Sequence, residues 1–411
     1  MEKNVHPGSI SINDYNYVLP EEKIAKFPLE QRDASKLLVY HNGMISENVF
    51  HNIASCIPTG SMVVFNNTRV VHARLLFVKP TGSTIEIFCL EPGNKYPDIV
   101  SAMTQTGEVI WECMIGGASK WKPGTILQMH CHQPDFTLSA SIISRNTDAY
   151  SVKLSWERND LSFAEVLHFC GKVPLPPYIK RDVTADDEER YQPVFARYDG
   201  SVAAPTASLH FTAQTLQSLQ EHKISQAYLT LHVGAGTFKP VKAATMTDHD
   251  MHAEWMEINR DTLQQLYHQA GKGIVACGTT TLRTLESIYW IGNKVYQGKN
   301  IDFSGIAVEQ FEPYETREQC SLTEAITSLV EHIDRKHITK LITRTRILIA
   351  PGYQFKIVNQ LITNFHQPKS SLLLLVAAFV KDDWHNIYNY ALAHDYRFLS
   401  YGDASLLTIN T

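Results

Sequence analysis

The chain has 411 residues, of which 44% are hydrophobic, and it carries a formal net charge of −5 and 7 cysteines. A chain of this length can bury a large core and form about two to three domains. This charge argues mildly against a nucleic-acid partner, although a local basic face can still exist. The cysteines form no Cys-x-x-Cys pair, so they predict neither a zinc knuckle nor a disulfide framework.

The N-terminus and the longest apolar run bear on localisation. Residues Met1–Ser11 lack the apolar run with flanking positive charge that a secretory signal needs. Leu372–Val380 is about half as long as a bilayer crossing requires, so it predicts a buried helix. We therefore expect a cytoplasmic protein without a membrane partner.

The first strongly patterned region along the chain is 72–156. Short alternating segments separated by Gly, Pro and Asn predict a small antiparallel β-barrel or sandwich there. These segments are Ala73–Val78, Thr84–Leu90, Val109–Ile115, Thr125–Met129, Phe136–Ile143 and Ala149–Leu154.

Helical and strand patterns alternate after residue 157. Ser162 and Glu165 have the spacing of a capping box, which predicts a helix over Ser162–Cys170. The alternation then predicts a helix after Thr212, a strand Tyr228–Val233, a helix Asp261–Ala270, a strand Gly273–Cys277 and a helix from Thr279. This succession is typical of an α/β protein.

The stretch 291–346 stands apart from that alternation, with a strand-like Asp302–Val308, an acidic loop and a helix opened by Ser321 and Glu324. We interpret it as an accessory excursion. A strand Ile347–Ala350, an apolar helix after Lys369 and a helix Asp383–His394 then resume the pattern. The predicted fold is a mixed α/β main domain, discontinuous over 1–71 and 157–411, with an inserted small antiparallel β-barrel domain over 72–156.

The first chemically unusual segment includes Tyr191–Ala196 and Gly200–Thr212. Small side chains up to Thr206 allow a ligand to approach the backbone closely, and His210 precedes a helix whose free N–H groups favour an anionic or polar ligand. The alternative is a tight proline turn with a capping threonine.

The second such segment, Leu229–Pro240, is a strand that runs into a glycine-rich loop. It does not match a dinucleotide-binding loop, because Lys239 stands where the third glycine belongs and Pro240 interrupts the required helix. Gly234 and Gly236 can bring backbone amides against a nucleoside, or they can form an ordinary turn at the strand exit.

The third segment is His249–Trp255, in which His252 and Glu254 are one strand period apart and share a side. A metal is disfavoured because the helical His-Glu-x-x-His pattern and a further ligand cluster are both absent. Two interpretations stay open, an acid–base pair and a satisfied polar pair.

The fourth segment is Ala276–Glu286, where a buried strand ends in glycine and three threonines, Thr279, Thr280 and Thr281. One helix cap does not need three hydroxyls, so they can hold ribose or carboxylate oxygens while Arg283 clamps a carboxylate or phosphate. Alternatively, Arg283 and Glu286 form a surface ion pair.

Together with other motifs in the same order, these segments resemble the queuosine-pathway tRNA ribosyltransferase-isomerase family. The motifs are Asp14–Pro20, Ile24–Pro28, Arg32–Leu38, Asn66–Val70, Gly171–Ile179, the Tyr191 segment, Ala203–Thr206, Leu231–Phe238, Met251–Trp255, Gly278–Thr281, Thr363–His366 and Ser400–Asp403.

The resemblance implies an α/β domain with an inserted β-barrel. It also implies transfer of the ribosyl part of S-adenosylmethionine to 7-aminomethyl-7-deazaguanine at the tRNA wobble position, giving epoxyqueuosine, adenine and methionine. S-adenosylmethionine is then a co-substrate, with no permanently bound cofactor and no metal, and the partner is the tRNA anticodon loop. We expect a monomer.

The chemistry needs a base for a ribose proton and groups that hold both substrates. The catalytic candidates are His210, His232, His252 and Glu254. The substrate-binding candidates are Asp33, Asn67, Arg69, Tyr178, Tyr191, Thr206, Gly234, Gly236, Thr279, Thr280, Thr281, Arg283, Asn364 and His366. The candidates for RNA backbone contacts are Arg69, Arg74, Lys172, Lys180 and Arg181.

The sequence departs from the family pattern at a few positions. Asn67 stands where the family usually has Asp, Lys36 replaces an Arg, Ser208 a Gly and Gln367 a Leu. The Asn67 change keeps open a non-catalytic or substrate-shifted tRNA-binding paralogue. A methyltransferase is the enzyme alternative, but its glycine-rich strand-to-helix pattern is missing near the N-terminus.

Overall fold

The computed structural model describes residues 6–122, 124–146, 149–234, 236, 241 and 243–409. Across these ranges, no helix combines the length and the apolar character that a membrane crossing demands.

The strands, in chain order, are β1 (Lys36–His41), β2 (Met44–Val49), β3 (Met62–Asn66), β4 (Thr68–Val70), β5 (Arg74–Val78), β6 (Thr84–Pro92), β7 (Glu108–Gly116), β8 (Leu127–His132), β9 (Asp135–Arg145), β10 (Tyr150–Trp156), β11 (Gly171–Lys172), β12 (Tyr198–Ser201), β13 (Ser225–His232), β14 (Glu254–Asn259), β15 (Ile274–Cys277), β16 (Ile306–Val308), β17 (Lys340–Thr345), β18 (Gln360–Asn364) and β19 (Ala404–Thr408).

The helices are α1 (Ile53–Cys56), α2 (Ile99–Met103), α3 (Phe163–Cys170), α4 (Ala185–Arg190), α5 (Ala213–Glu221), α6 (Arg260–Gln269), α7 (Thr279–Tyr296), α8 (Glu312–Glu315), α9 (Leu322–Lys336), α10 (Ser371–Val380) and α11 (Trp384–Ala393). The capping boxes at Ser162 and Ser321 form as the sequence predicts.

The larger sheet is mixed and ten-stranded, in the order β16-β17-β14-β13-β3-β15-β18-β19-β1-β2. Its centre, β13-β3-β15-β18, is parallel. Every residue of β3, β15 and β18 is buried, as expected for parallel strands covered on both faces. The parallel centre directs the carboxyl ends of β13, β15 and β18 to one edge of the sheet.

The smaller sheet is antiparallel and seven-stranded, in the order β11-β5-β6-β7-β10-β9-β8. Each alternating segment predicted over 72–156 contributes one of its strands. Within the described ranges the outer strands β11 and β8 do not pair, so the curled sheet is not a closed barrel. Helix α3 adds Phe163 and Val166 to the core of this sheet.

Residues 291–346 are integrated into the main sheet rather than forming a separate excursion. Helix α7 continues through Ile291 to Tyr296, β16 and β17 extend the sheet, and α9 packs on α7. The two helices come so close that a Cβ on Gly292 would lie 2.4 Å from the carbonyl oxygen of Ala325.

The expected strand Ile347–Ala350 is wrong, because the strand lies earlier, at Lys340–Thr345. The following backbone is drawn away from the sheet by other partners. Ile347 N–H donates to Thr345 Oγ1, Leu348 N–H to the carbonyl of Gln310, and Ala350 N–H to Tyr314 Oη.

Candidate functional site

A cavity of about 740 Å³ lies where the parallel strands end. Its lining residues follow β13, β15 and β18, begin α7, and include the small residues before the 3-10 turn Thr206–His210. Ligands of α/β proteins commonly bind at this edge of a sheet. The predicted site residues in its lining are Tyr178, Thr206, Thr279, Thr280, Asn364 and His366.

Two polar atoms in the lining of this cavity, which we call the nucleoside cavity, have no partner among the described residues. Thr280 Oγ1 and Asn364 Oδ1 are buried and make no hydrogen bond within the described part of the chain. Buried polar groups are normally satisfied, so both atoms are available to a ligand. The first N–H groups of the 18-residue helix α7 lie beside them and favour negative charge.

The three threonines do not cap α7 with their side chains. Gly278 is the N-cap residue and makes no side-chain cap, and Thr281 Oγ1 donates back to the carbonyl of Cys277 at 2.6 Å. Thr281 is fully buried and does not line the cavity. Thr279 and Thr280 therefore remain as the hydroxyls that face a ligand.

A second cavity, of about 600 Å³, adjoins the first, and Leu372 lines both. We call it the histidine cavity because His252 lies in its lining with Glu254 and Arg283. His249 and Ser371 are also in the lining, and the apolar part of the wall comes mainly from Ile347–Ile349 and from Leu372 and Leu375 of α10. In a sequence, apolar residues that line a cavity have the same pattern as apolar residues of the hydrophobic core. The sequence alone therefore did not identify these residues as part of the site.

The two charged groups of the histidine cavity pair with each other. Arg283 Nη1 donates to Glu254 Oε2, and the residues are 7% and 4% exposed. Arg283 Nη2 is buried with no partner among the described residues. The alternative surface pair with Glu286 is wrong, because Glu286 is buried and accepts from the N–H groups of residues 356–358.

Gly236 makes room for the ring of His252. A Cβ on Gly236 would lie 2.0 Å from Cδ2 of His252, far inside any real contact. The glycine-rich loop therefore matters here because it lets a histidine approach the backbone. Gly234 N–H points to Glu254 Oε1 at 3.4 Å, so both predicted glycines border this cavity.

His210 lines a third and smaller cavity, which shares Ser400 with the nucleoside cavity. Both ring nitrogens are engaged, Nδ1 with Ser35 Oγ at 2.9 Å and Nε2 with Asn364 Nδ2 at 3.2 Å. Burial lowers the pKa of His210 to about 4. The neutral ring contacts the side-chain amide of Asn364, which lines the nucleoside cavity. His210 itself does not line the nucleoside cavity.

His232 lies apart from the lining of the nucleoside and histidine cavities. Its Nδ1 is 3.0 Å from Thr68 Oγ1, and its Nε2 is 3.8 Å from Glu257 Oε1. Gly200 packs against the ring, since a Cβ there would lie 2.7 Å from Nδ1. The predicted trio of histidines is thus divided among three environments.

His366 is held in the wall of the nucleoside cavity. Its Nε2 lies 2.9 Å from Thr363 Oγ1, and its backbone N–H donates to Tyr388 Oη at 3.0 Å. Burial lowers the pKa of His366 to about 3, so the ring is neutral near pH 7.

The remaining predicted residues do not line the nucleoside or histidine cavities. Asp33 accepts from Thr212 Oγ1 at 2.9 Å, and Asn67 accepts from Thr230 Oγ1 at 2.7 Å. Tyr191 is buried against Tyr401. Arg69 lies 4.0 Å from Asp199 in a surface groove.

Two further observations concern the site. Tyr178 Oη and Ser400 Oγ are 2.6 Å apart in the wall of the nucleoside cavity. The Ser400–Asp403 motif already singled out Ser400, although on its own it reads as a turn.

Among the described residues, no group of three or more His, Cys, Asp or Glu side chains is arranged to hold a metal ion.

The chain is similar to known proteins over almost its whole length. The sequence model of one family, described as queuosine biosynthesis protein, matches residues 12–407. A protein of Geotalea uraniireducens (strain Rf4) named S-adenosylmethionine:tRNA ribosyltransferase-isomerase is 36% identical over 408 residues, covering 97% of this chain and 100% of that protein. One of Halothermothrix orenii with the same name is 36% identical over 404 residues, with the same coverage. The crystal structure of S-adenosylmethionine tRNA ribosyltransferase from Thermotoga maritima aligns with a TM-score of 0.45 at 27% identity, covering 96% of this chain and 99% of that one.

Proposed function

The chain belongs to the queuosine biosynthesis protein family, and from this membership we propose that it is an S-adenosylmethionine:tRNA ribosyltransferase-isomerase. Relatives at 36% identity over almost the full chain carry that name. In this reaction the ribosyl moiety of S-adenosylmethionine moves onto 7-aminomethyl-7-deazaguanine at the tRNA wobble position. Epoxyqueuosine forms, and adenine and methionine are released.

One structural observation carries the proposal: the nucleoside cavity and the histidine cavity are neighbours that share Leu372 as a wall residue. S-adenosylmethionine is a nucleoside joined to a charged amino acid, so it suits two adjoining spaces of different character. Thr279 and Thr280 at the start of α7 would hold ribose oxygens. Arg283 Nη2, which lacks a partner within the described residues, would bind the methionine carboxylate.

His252 is our candidate for the base. The positive sulfur acidifies the neighbouring ribose carbon, so a histidine suffices to remove its proton. Of the three candidate histidines, His252 alone lines the cavity that also contains Glu254 and Arg283. Glu254 fixes Arg283 and places negative charge where the sulfonium would lie.

The other two histidines are assigned positioning roles. His210 orients Asn364 through the contact of its Nε2 with the side-chain amide. His232 secures the end of β13 through Thr68 and Glu257. The other substrate-binding candidates stay proposals for the wall of the site or its RNA-facing surroundings. They are Asp33, Asn67, Arg69, Tyr178, Tyr191, Thr206, Gly234, Gly236, Thr281 and His366.

The Asn67 departure does not favour a non-catalytic paralogue. Asn67 Oδ1 accepts from Thr230 and lines neither cavity. An amide in place of a carboxylate therefore removes no charge from the space assigned to S-adenosylmethionine. The names of the relatives also support the enzyme rather than a binder.

The domain organisation and the setting complete the proposal. We assign 72–156 to an inserted barrel-like domain and 1–71 with 157–411 to the catalytic domain. The anticodon loop would approach an open groove in which Arg69 and His168 lie beside His72, the one described lining residue that belongs to 72–156. The same groove also contains the carboxylates of Glu165, Glu188, Glu189 and Asp199. We propose a monomer that acts in the cytoplasm, where its tRNA substrate resides.

Adenine release tests the function. Incubated with S-adenosylmethionine and tRNA that carries 7-aminomethyl-7-deazaguanine, the protein should release adenine and methionine in equal amounts and add mass to the tRNA. His252→Ala should lower adenine release at least about 100-fold while retaining S-adenosylmethionine binding in calorimetry. His222→Ala, on the exposed end of α5, is the matched control.

Formation of S-adenosylhomocysteine instead of adenine would identify a methyltransferase. Neither product from the folded wild type would identify a binding protein. A fully active His252→Ala variant would remove His252 from the base position without affecting the reaction assignment.

A further inference from the structure

The small cavity lined by His210 is also lined by three arginines. Arg32, Arg190 and Arg397 border a small indentation that opens to solvent, and no carboxylate is among its described lining residues. We call it the arginine pocket. Arg397 is neutralised, because it pairs with Asp403 at 2.9 Å. Arg32 and Arg190 thus decide its charge.

Backbone carbonyls, not carboxylates, hold these two guanidinium groups in place. Arg32 Nη1 and Nη2 donate to the carbonyls of Gln192 and Glu189 at 2.6 and 2.7 Å. Arg190 donates to the carbonyls of Leu29 and Glu30. Neither arginine forms an ion pair within 4.0 Å in the described ranges; the carboxylate of Glu189 acts on Arg32 from a greater distance.

The two charges are close enough to act on each other. Burial, and then the charge of Arg190, lower the pKa of Arg32, against a smaller opposing effect of Glu189. Fixing two cations beside a buried neutral histidine opposes folding. An anion bound between them would remove that cost, since the planar fork of arginine matches the oxygens of a phosphate.

Three of the five basic residues that the sequence offers for RNA contacts pair closely with carboxylates. Arg181 forms a bidentate pair with Asp187, Arg74 lies 2.6 Å from Glu86, and Lys180 lies 3.3 Å from Glu21. These three were candidates for RNA contacts from the sequence. Their carboxylate partners reduce what each can offer a phosphate, whereas Arg32 and Arg190 are free of such partners.

The arginine pocket connects the surface with the reaction space. Ser400 lines both the pocket and the nucleoside cavity, and Arg32 lines both the pocket and the large groove. The pocket thus lies between the groove and the nucleoside cavity, beside the route on which an RNA strand in the groove would deliver a base to that cavity.

We propose that Arg32 and Arg190 bind one phosphodiester of the tRNA anticodon loop, adjacent to the nucleotide that is modified. This inference rests on the proposed function and adds a defined phosphate site to it. Unpaired loop nucleotides can be splayed so that a base enters a cavity while its phosphate is held outside. The methionine carboxylate of S-adenosylmethionine shares this chemistry, and the experiment separates the two sources.

The test compares Arg190→Gln with wild type in binding an anticodon stem-loop RNA at several salt concentrations. We expect affinity to fall about 10- to 100-fold, as for loss of a charge-assisted contact. The slope of log K against log salt should decrease by about 0.7, the value for one contact to single-stranded RNA. Affinity for S-adenosylmethionine alone should not change.

A matched control is Arg335→Gln on α9, an exposed arginine that also donates to a backbone carbonyl. It should alter neither affinity nor slope. If thermal melting shows that Arg190→Gln is not folded, Arg190→Lys takes its place. Lysine keeps the charge and loses the fork, so affinity should fall while the slope stays.

Single methylphosphonate linkages on either side of the wobble nucleotide identify the phosphate. We expect one of these neutral linkages to weaken RNA binding by the wild-type protein as much as Arg190→Gln weakens binding of the unmodified RNA. The same linkage should not weaken RNA binding by the Arg190→Gln variant any further. Equal effects of every neutral linkage on both proteins would overturn the site.

Two other results would also overturn the proposal. In one, Arg190→Gln binds the stem-loop with unchanged affinity and slope. In the other, S-adenosylmethionine binding weakens while the RNA salt slope is unchanged, which would assign the pocket to the carboxylate. These failures are distinct from failure of the reaction itself, because wild-type adenine release is measured independently.

Discussion

At the scale of single residues, buried histidines make the stability of this protein depend on pH. The folded-state pKa of His366 is about 3 and that of His210 is about 4, whereas an unfolded histidine titrates near 6.5. Between these values the unfolded chain binds more protons than the folded chain. Their stabilising effect is therefore complete above about pH 6.5 and is lost as pH falls towards 4 and 3.

We expect His366 alone to remove about 2 kcal/mol of unfolding free energy between pH 7 and pH 5. Urea unfolding at these two pH values measures it. His366→Gln keeps a polar group near Thr363 and should lose that part of the pH dependence. His222→Gln, whose imidazole is exposed, should retain it. An unaltered pH dependence in His366→Gln would show that the ring is not held neutral.

The residues of the site differ in how far a sequence can identify them. Thr279, Asn364 and His366 lie in ordered motifs and line one cavity. The role of Arg283 could not be read in the same way, because helical spacing to Glu286 does not show which face of α7 is buried. Its actual partner, Glu254, is 29 positions away in sequence, and only the tertiary fold brings them together.

At the scale of elements, the crossing of α7 and α9 explains why 291–346 appears separate in the sequence. A glycine within a helix usually weakens it, yet Gly292 lies in the interior of α7. It is needed because α9 approaches closely. Local patterns predicted α9 through its capping box but gave no information on where α9 packs.

Gly292→Ala should therefore destabilise the protein despite the better helix propensity of alanine. The added Cβ would lie 2.4 Å from the carbonyl oxygen of Ala325, and backbone cannot yield as a flexible side chain can. We expect a loss of about 1–3 kcal/mol, typical of overpacking, measured by urea unfolding. Thr327→Ala, at an exposed position of α9, should change stability by less than about 0.5 kcal/mol. A stabilised Gly292→Ala variant would show that the helices can separate at no cost.

At the scale of the whole molecule, alternation predicted the strands of the smaller sheet, whereas the core of that sheet extends beyond those strands. Period-two patterns specify strands with one buried face, and the strands over 72–156 follow them. Leu161, Phe163, Val166 and Leu167 also belong to the core of this sheet. A helix that completes the core of a neighbouring sheet has the same amphipathic pattern as one that covers its own domain.

This shared core leads to a prediction about the folding unit. All buried residues of the smaller sheet's core except Val202 lie between Val71 and Leu167, and β11 pairs with β5 immediately after α3. A fragment of residues 71–172 should therefore unfold cooperatively in urea and show dispersed amide resonances. A fragment of residues 71–156 lacks α3 and β11, exposes Trp111 where Phe163 packs against it, and should not unfold cooperatively.

Cooperative unfolding of both fragments would place the boundary at 156, as the strand pattern alone suggests. Failure of both would mean that the sheet depends on the main domain through contacts such as the ion pair of Arg344 with Glu91.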